Sequence, residues 1–164
     1  FSIDRRCTWA FDELVAAGFE YDSSVFPVRH DRYGVPGAPR GVHRVRAGAG
    51  TLIELPPSTV RLGRFVLPFG GGGYLRLYPL WLTRYAFDRL HRREARPVVV
   101  YVHPWEVDPA QPRVGGASRR SRFRHYVGLR STESKLGALL ERYRFGTAAD
   151  VIGRAETVPV HRVA

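Results

Sequence analysis

The stretch "VVVYVHPWEVDP", residues 98–109, decides how this chain is read. Five apolar residues, Val98 to Val102, run without a break into His103, Pro104, Trp105 and Glu106. A short apolar run that stops at a turn signal is the pattern of a strand buried on both faces. Such strands belong to α/β folds, where helices cover the sheet and reactive groups gather at the strand ends. His103 occupies that position, and imidazole is the side chain whose acidity suits proton transfer near neutral pH. A lone histidine in that position is more often a structural residue than a catalyst.

The sequence on either side supplies alternating strands and helices. Asp4 is placed to cap a helix through "RRCTWAFDELVAAG", with Ala10, Phe11, Leu14 and Val15 on one face and Gly18 at its end. "FEYDSSVFP" reads as a short strand breaking at Asp22, Ser23 and Ser24. Residues 27–50 are rich in Pro, Gly and Arg and read as a long ordered loop. "TLIELP" and "TVRLGRFVLP" read as strands, with a hairpin at Gly63. A helix over "PLWLTRYAFDRLHRRE" follows, with Leu80, Phe87 and Leu90 on one face. Beyond the Arg-rich connection 108–128, Ser131 is placed to cap a helix carrying Leu136, Leu139, Leu140 and Tyr143, and "FGTAADVIG" closes as a strand and a helix. This order predicts an α/β fold with parallel strands, one domain over residues 1–154 and a loose tail over 155–164.

Several chemistries lack their signature. The run "FGGGGYLRLYP" is followed by Tyr74-Leu75-Arg76-Leu77, which alternates like a strand, not by the Lys-Ser/Thr helix start of a phosphate loop. No two of the six histidines stand three to five residues apart, so no local metal pair exists. One cysteine, Cys7, allows neither an internal disulfide nor a multi-cysteine zinc site, and no Gly-x-Ser-x-Gly occurs. No apolar run approaches the roughly 20 residues of a membrane span. The net charge of +11 is carried by arginine, since Lys135 is the sole lysine. In "SRRSRFRHY", Arg120, Arg122 and Arg124 stand at strand spacing, which would turn three guanidinium groups to one side, toward a phosphate or uronate backbone or toward solvent. An interleaved aromatic ladder of the kind that binds single strands is absent, so nucleic acid is not the expected partner.

Taken together, "FSI", "AGFEYDSSVFPVRHDRYGVPGAPR", "LIELPPSTVRLG", "LPFGGGGYLRLYP", "VVYVHPWEVDP", "SRFRHYV" and "FGTAADVI" resemble, in order and spacing, the C-terminal part of polysaccharide deacetylases. The subgroup is the one found with PEP-CTERM and exopolysaccharide loci. It carries the NodB-homology domain of carbohydrate esterase family four and a C-terminal extension. The resemblance implies a distorted, incomplete (β/α) barrel and hydrolysis of N-acetyl groups on the amino sugars of a polysaccharide, with a divalent metal, zinc foremost, as cofactor. It implies that His103 is the general acid that protonates the departing amine and that Asp22 is the acidic partner near it. The family's aspartate and His-x-x-x-His metal motifs lie upstream of what these residues match. The expectation is therefore a C-terminal part whose partner is the N-terminal half of the same domain, with no metal held and no activity by the 164 residues alone. Glu106 and Asp108 accompany the histidine without an assigned role. The alternative reading is an arginine-rich, non-catalytic module for anionic glycan or nucleic acid.

Overall fold

The structure, a computed structural model, describes residues 3–30, 33–48, 50–113, 115–153 and 160–161. The first helix, α1, spans Ala10–Ala16, and Gly18 ends it with its N–H on the Val15 carbonyl. Asp4 does not cap it. The Asp4 carboxylate instead takes the backbone N–H and guanidinium of Arg6, closing its own turn before the helix starts.

Strand β1 (Tyr21–Asp22) pairs in parallel with β3 (Gly50–Glu54), as the break at Ser23 foretold. The segment read as a continuous loop contains β2, His43–Ala47, which pairs antiparallel with β3. Its sequence HRVRA alternates, and the burial follows: His43, Val45 and Ala47 are buried while Arg44 and Arg46 are exposed. A two-residue strand, β6 (Val160–His161), pairs in parallel with β2 on its outer side. The rest of the segment read as a tail, 155–159 and 162–164, lies outside the described residues. The four-stranded order is β1-β3-β2-β6, so the sheet is mixed and its central pair antiparallel, against the expectation of parallel strands throughout. Ile3, Phe11, Val25, Val45 and Leu52 form the core under it.

Strands β4 (Thr59–Leu62) and β5 (Phe65–Pro68) make the expected hairpin around Gly63. The stretch read as a strand after the glycines is a helix, α2, Gly72–Leu77. Its alternation misled because the buried pair Leu75 and Arg76 are consecutive residues on one helical face, with Arg76 held by a partner thirty residues away. Helix α3 (Leu80–Arg93) buries Thr83, Ala86, Phe87 and Leu90. Helix α5 begins at Leu129 and runs to Arg142, so Ser131 lies inside it; the preceding position is Gly128, at φ +71°, where a Cβ would meet the Arg76 carbonyl. Leu139 is buried, whereas Leu140 is exposed. Helix α4, Arg119–Tyr126, occupies the connection read as irregular, and α6 spans Ala148–Gly153 with no strand before it.

Residues Val98–Val102 are extended but not a regular strand. Val99 exchanges bonds with Ser58 (Ser58 N–H to Val99 O, 3.0 Å; Val99 N–H to Ser58 Oγ, 2.7 Å), and the Tyr101 N–H donates to Gly70 O at 3.0 Å. Val98, Val100 and Val102 are half-buried against Leu75, Phe87 and Leu139. The segment is wedged between the start of β4 and the glycine run. Gly70 permits this, since a Cβ there would overlap the Ser58 nitrogen and crowd the Val99 oxygen. The described residues thus form a mixed α/β structure with small sheets and no closed barrel.

Candidate functional site

His103 leaves the wedged segment at the start of a 3₁₀ turn, Pro104–Val107, for which Pro104 is pre-set by its fixed φ. The backbone N–H of His103 donates to Glu106 Oε2 at 2.9 Å. The other Glu106 oxygen receives the Arg76 Nε–H at 3.0 Å in a fully buried ion pair, and Arg76 Nη1 donates to the carbonyls of His125 (2.6 Å) and Val127 (3.1 Å). Every charged end of this pair has several partners, which is what makes a buried pair tolerable. Gly72 leaves the room: a Cβ there would overlap the Glu106 carboxylate. The glycine run therefore serves close packing at the base of the histidine turn, and Glu106 is the clamp for that turn.

The His103 side chain is exposed, with Tyr101 edge-on at 5.6 Å and the Trp105 indole near-parallel at 5.9 Å. It opens onto a cavity of about 360 Å³ that also presents Ser23, Ser24, Phe26, Tyr33 and Tyr101. Phe26 and Tyr33 stack at 5.9 Å with their planes 3° apart, and the Tyr33 hydroxyl lies 3.4 Å from that of Tyr74. Part of the Tyr101 ring is open to solvent, yet its hydroxyl lies against Gly71. Burial there pushes the phenol up to about 12, with the Tyr33 and Glu106 charges acting in the same direction. Tyr101 thus stays a proton-bearing donor at neutral pH. The cleft combines aromatic faces, phenol donors and one exposed imidazole.

Asp22 and His103 are not brought into contact. Asp22 lies on the sheet, paired in register with Glu54, and Glu54 is paired in turn with His43 on β2. Laterally paired residues share a face, so Asp22, Glu54 and His43 form one row across three strands. Asp22 Oδ1 accepts from the Ser24 hydroxyl at 3.0 Å, and Glu54 Oε1 accepts the Val25 N–H at 2.9 Å. Among the described residues no donor reaches the buried Asp22 Oδ2 or Glu54 Oε2. Burial first, and the Asp22 carboxylate second, push Glu54 up to about 8. A proton on Glu54 supplies the donor that the two orphaned oxygens lack. His43 is fully buried, with Nδ1 2.9 Å from the Gly41 carbonyl. The link from Asp22 to the cleft runs through Ser23 and Ser24, which follow it in the chain and line the cavity.

Sequence reasoning missed Glu54, Tyr33 and Tyr101. Glu54 had a signal, an acid in the inward phase of "TLIEL" where Leu52 marks the buried side. The tyrosines had none, because their meeting is tertiary. Among the described residues no three His, Cys, Asp or Glu side chains converge to hold a metal ion. These residues therefore do not supply the donor set that the resemblance implies, and no step below is routed through a metal. No described helix is long and apolar enough to cross a membrane.

Residues 23–153 match a family described as "Domain of unknown function (DUF3473)". No curated protein and no solved structure matches the chain.

Proposed function

We propose, from the premise that this chain belongs to the DUF3473 family over residues 23–153, that it is the acid-bearing part of a polysaccharide deacetylase. Domains of this family are associated with polysaccharide deacetylases, and the collinear segments around Asp22 and His103 resemble the same enzymes. The mixed sheet, with β1 and β3 parallel at the end that carries Asp22, is read as part of the distorted (β/α) barrel of that group. The observation that carries the reading is the presentation of His103. Its backbone is clamped by Glu106, while its ring is exposed at the rim of a ring-sized cavity walled by Phe26, Tyr33 and Tyr101.

In this reading an N-acetylated sugar lies against the aromatic wall, with its amide toward His103. Water adds to the acetyl carbon, the C–N bond breaks, and acetate leaves on one side and the free amine on the other. An amine anion is too poor a leaving group to depart unaided, so a proton must reach the nitrogen as the bond breaks. His103, as imidazolium, delivers it. Tyr101 and Tyr33 orient the sugar as donors, and Asp22, tied to Ser24, holds the Ser23–Ser24 side of the cleft in place. Activation of the water falls to groups other than these residues.

The test is acetate release from N-acetylglucosamine oligomers by the full-length protein that carries this chain. His103→Asn should lower turnover about 10²–10⁴-fold, the range for loss of an acid catalyst, with bound metal unchanged. Unchanged turnover, or metal lost together with activity, overturns the role of His103.

A further inference from the structure

A second cavity, of about 350 Å³, is walled by Trp105, Ser121, Arg122, Arg124, His125 and Tyr126. Trp105 links the two. Its indole lies near-parallel to the His103 ring at 5.9 Å and to the His125 ring at 4.3 Å. Most of the wall belongs to α4, which buries no side chain and carries four arginines and no acid. The helix is held instead by its last turn: His125 Nε2 meets Gln111 Oε1 at 2.8 Å, and the Tyr126 hydroxyl donates to Pro112 O at 3.3 Å. The helical form also corrects the strand spacing read for Arg120, Arg122 and Arg124. Arg122, His125 and Tyr126, at i, i+3 and i+4, share the face turned to the cavity, and Arg124 flanks it.

The wall offers a ligand chiefly hydrogen-bond donors. Guanidinium groups have five N–H donors and no acceptor, the Gln111 oxygen is engaged by His125, and the Tyr126 hydroxyl is engaged by Pro112. Recognition of a neutral sugar by its hydroxyls favours carboxylate or amide acceptors, and among the described residues the wall has neither. A carboxylate needs only donors, and guanidinium matches it in a two-point fork. Arg122 is exposed, and a third guanidinium, Arg113, stands over the Tyr126 ring at 5.0 Å. A single-stranded nucleic acid would ask for successive aromatic platforms along a groove, whereas here Trp105, His125 and Tyr126 pack on one another.

We infer, on the basis of the deacetylase reading above, that this cavity is a subsite for a carboxylate-bearing sugar, a hexuronate unit next to the N-acetylated sugar at His103. Its ring fills the cavity beside Trp105 and Tyr126, and its carboxylate takes Arg122 and Arg124. The substrate class is then an acidic heteropolysaccharide, not a neutral homopolymer.

The test is calorimetric binding to the full-length protein carrying His103→Asn, so that binding is read without turnover. Two probes are compared: a hexamer of alternating N-acetylglucosamine and glucuronate, and a hexamer of N-acetylglucosamine alone. The uronate hexamer should bind about ten-fold or more tightly at low ionic strength. Adding Arg122→Gln should remove most of that preference while leaving the affinity for the neutral hexamer in place, and Arg122→Lys should restore only part. Equal affinity for the two hexamers, or a preference that survives Arg122→Gln with Arg124→Gln, overturns the subsite. So does single-stranded DNA that competes with equal affinity. Absence of acetate release by the wild-type protein would sink the enzymatic reading by itself, and the uronate preference would still decide the subsite.

Discussion

Glu106 takes the Arg76 guanidinium at 3.0 Å with one carboxylate oxygen and the backbone N–H of His103 at 2.9 Å with the other. The position of the exposed imidazole is thereby tied, through a buried charge pair, to Arg76 of α2. Glu106→Ala should cost about 3–5 kcal/mol, because it strands a guanidinium in the interior. Glu106→Gln, which keeps an acceptor for the His103 N–H, should cost less. Urea unfolding of the two variants reads the difference, and a loss below about 1 kcal/mol in Glu106→Ala would contradict the clamp.

Adjacent glycines provide a sharper contrast. Both Gly72 and Gly73 lie in the first turn of α2. A Cβ at Gly72 overlaps the Glu106 carboxylate, whereas one at Gly73 meets only the Arg76 Nη2 at 3.7 Å. Gly72→Ala should therefore destabilise by about 1–3 kcal/mol, the usual cost of overpacking. Gly73→Ala should be neutral or stabilising by up to about 1 kcal/mol, since alanine is the better helix former. Thermal melts of the pair check this, and equal melting temperatures would show that the space beside Glu106 is not limiting.

What the sequence discloses follows where its interactions are local. The β4–β5 hairpin and α3 were legible because periodicity and turn residues act within a few positions; α5 was legible only in part, since Leu139 is buried but Leu140 is exposed. Residues 74–77 were not, since Arg76 is inward only because Glu106 waits thirty residues away. The arginines of α4 matched strand spacing, although Ser118, whose hydroxyl accepts the Ser121 N–H, was a readable cap. At the site, His103 and Asp22 came from motif resemblance. Glu54, Tyr33 and Tyr101 arrive from separate elements, and no one-dimensional pattern joins them.

Lys135 illustrates a long-range cap. Its ammonium reaches from α5 to the carbonyls of Leu75, Arg76 and Tyr78 at 3.1, 3.1 and 2.9 Å, satisfying the end of α2. Lys135→Met keeps the stem and removes the donors, and should cost about 1–3 kcal/mol. Hydrogen exchange of α2 amides should accelerate more than that of α3 amides. A uniform change across both helices would instead indicate a general loss of packing.

The Asp22–Glu54 pair makes the protein's stability fall with rising pH over a defined window. Glu54 ordinarily titrates at 4.5 and in the folded protein is pushed up to about 8, by burial and then by Asp22. Between those values the folded chain keeps a proton that the unfolded chain has released. The unfolded state thus binds fewer protons, and stability declines as pH rises, by at most about 1.4 kcal/mol per pH unit. Below 4.5 and above 8 this contribution is flat. Glu54→Gln, uncharged at every pH and still able to donate to Asp22, should remove the slope and leave the variant more stable than wild type at pH values above 8. Asp22→Asn removes only the second cause, so it should shift the upper end of the window downward without abolishing it. Denaturation midpoints from pH 5 to 9 for the three proteins settle the matter. An unaltered slope in Glu54→Gln would mean that the proton is not held by this pair.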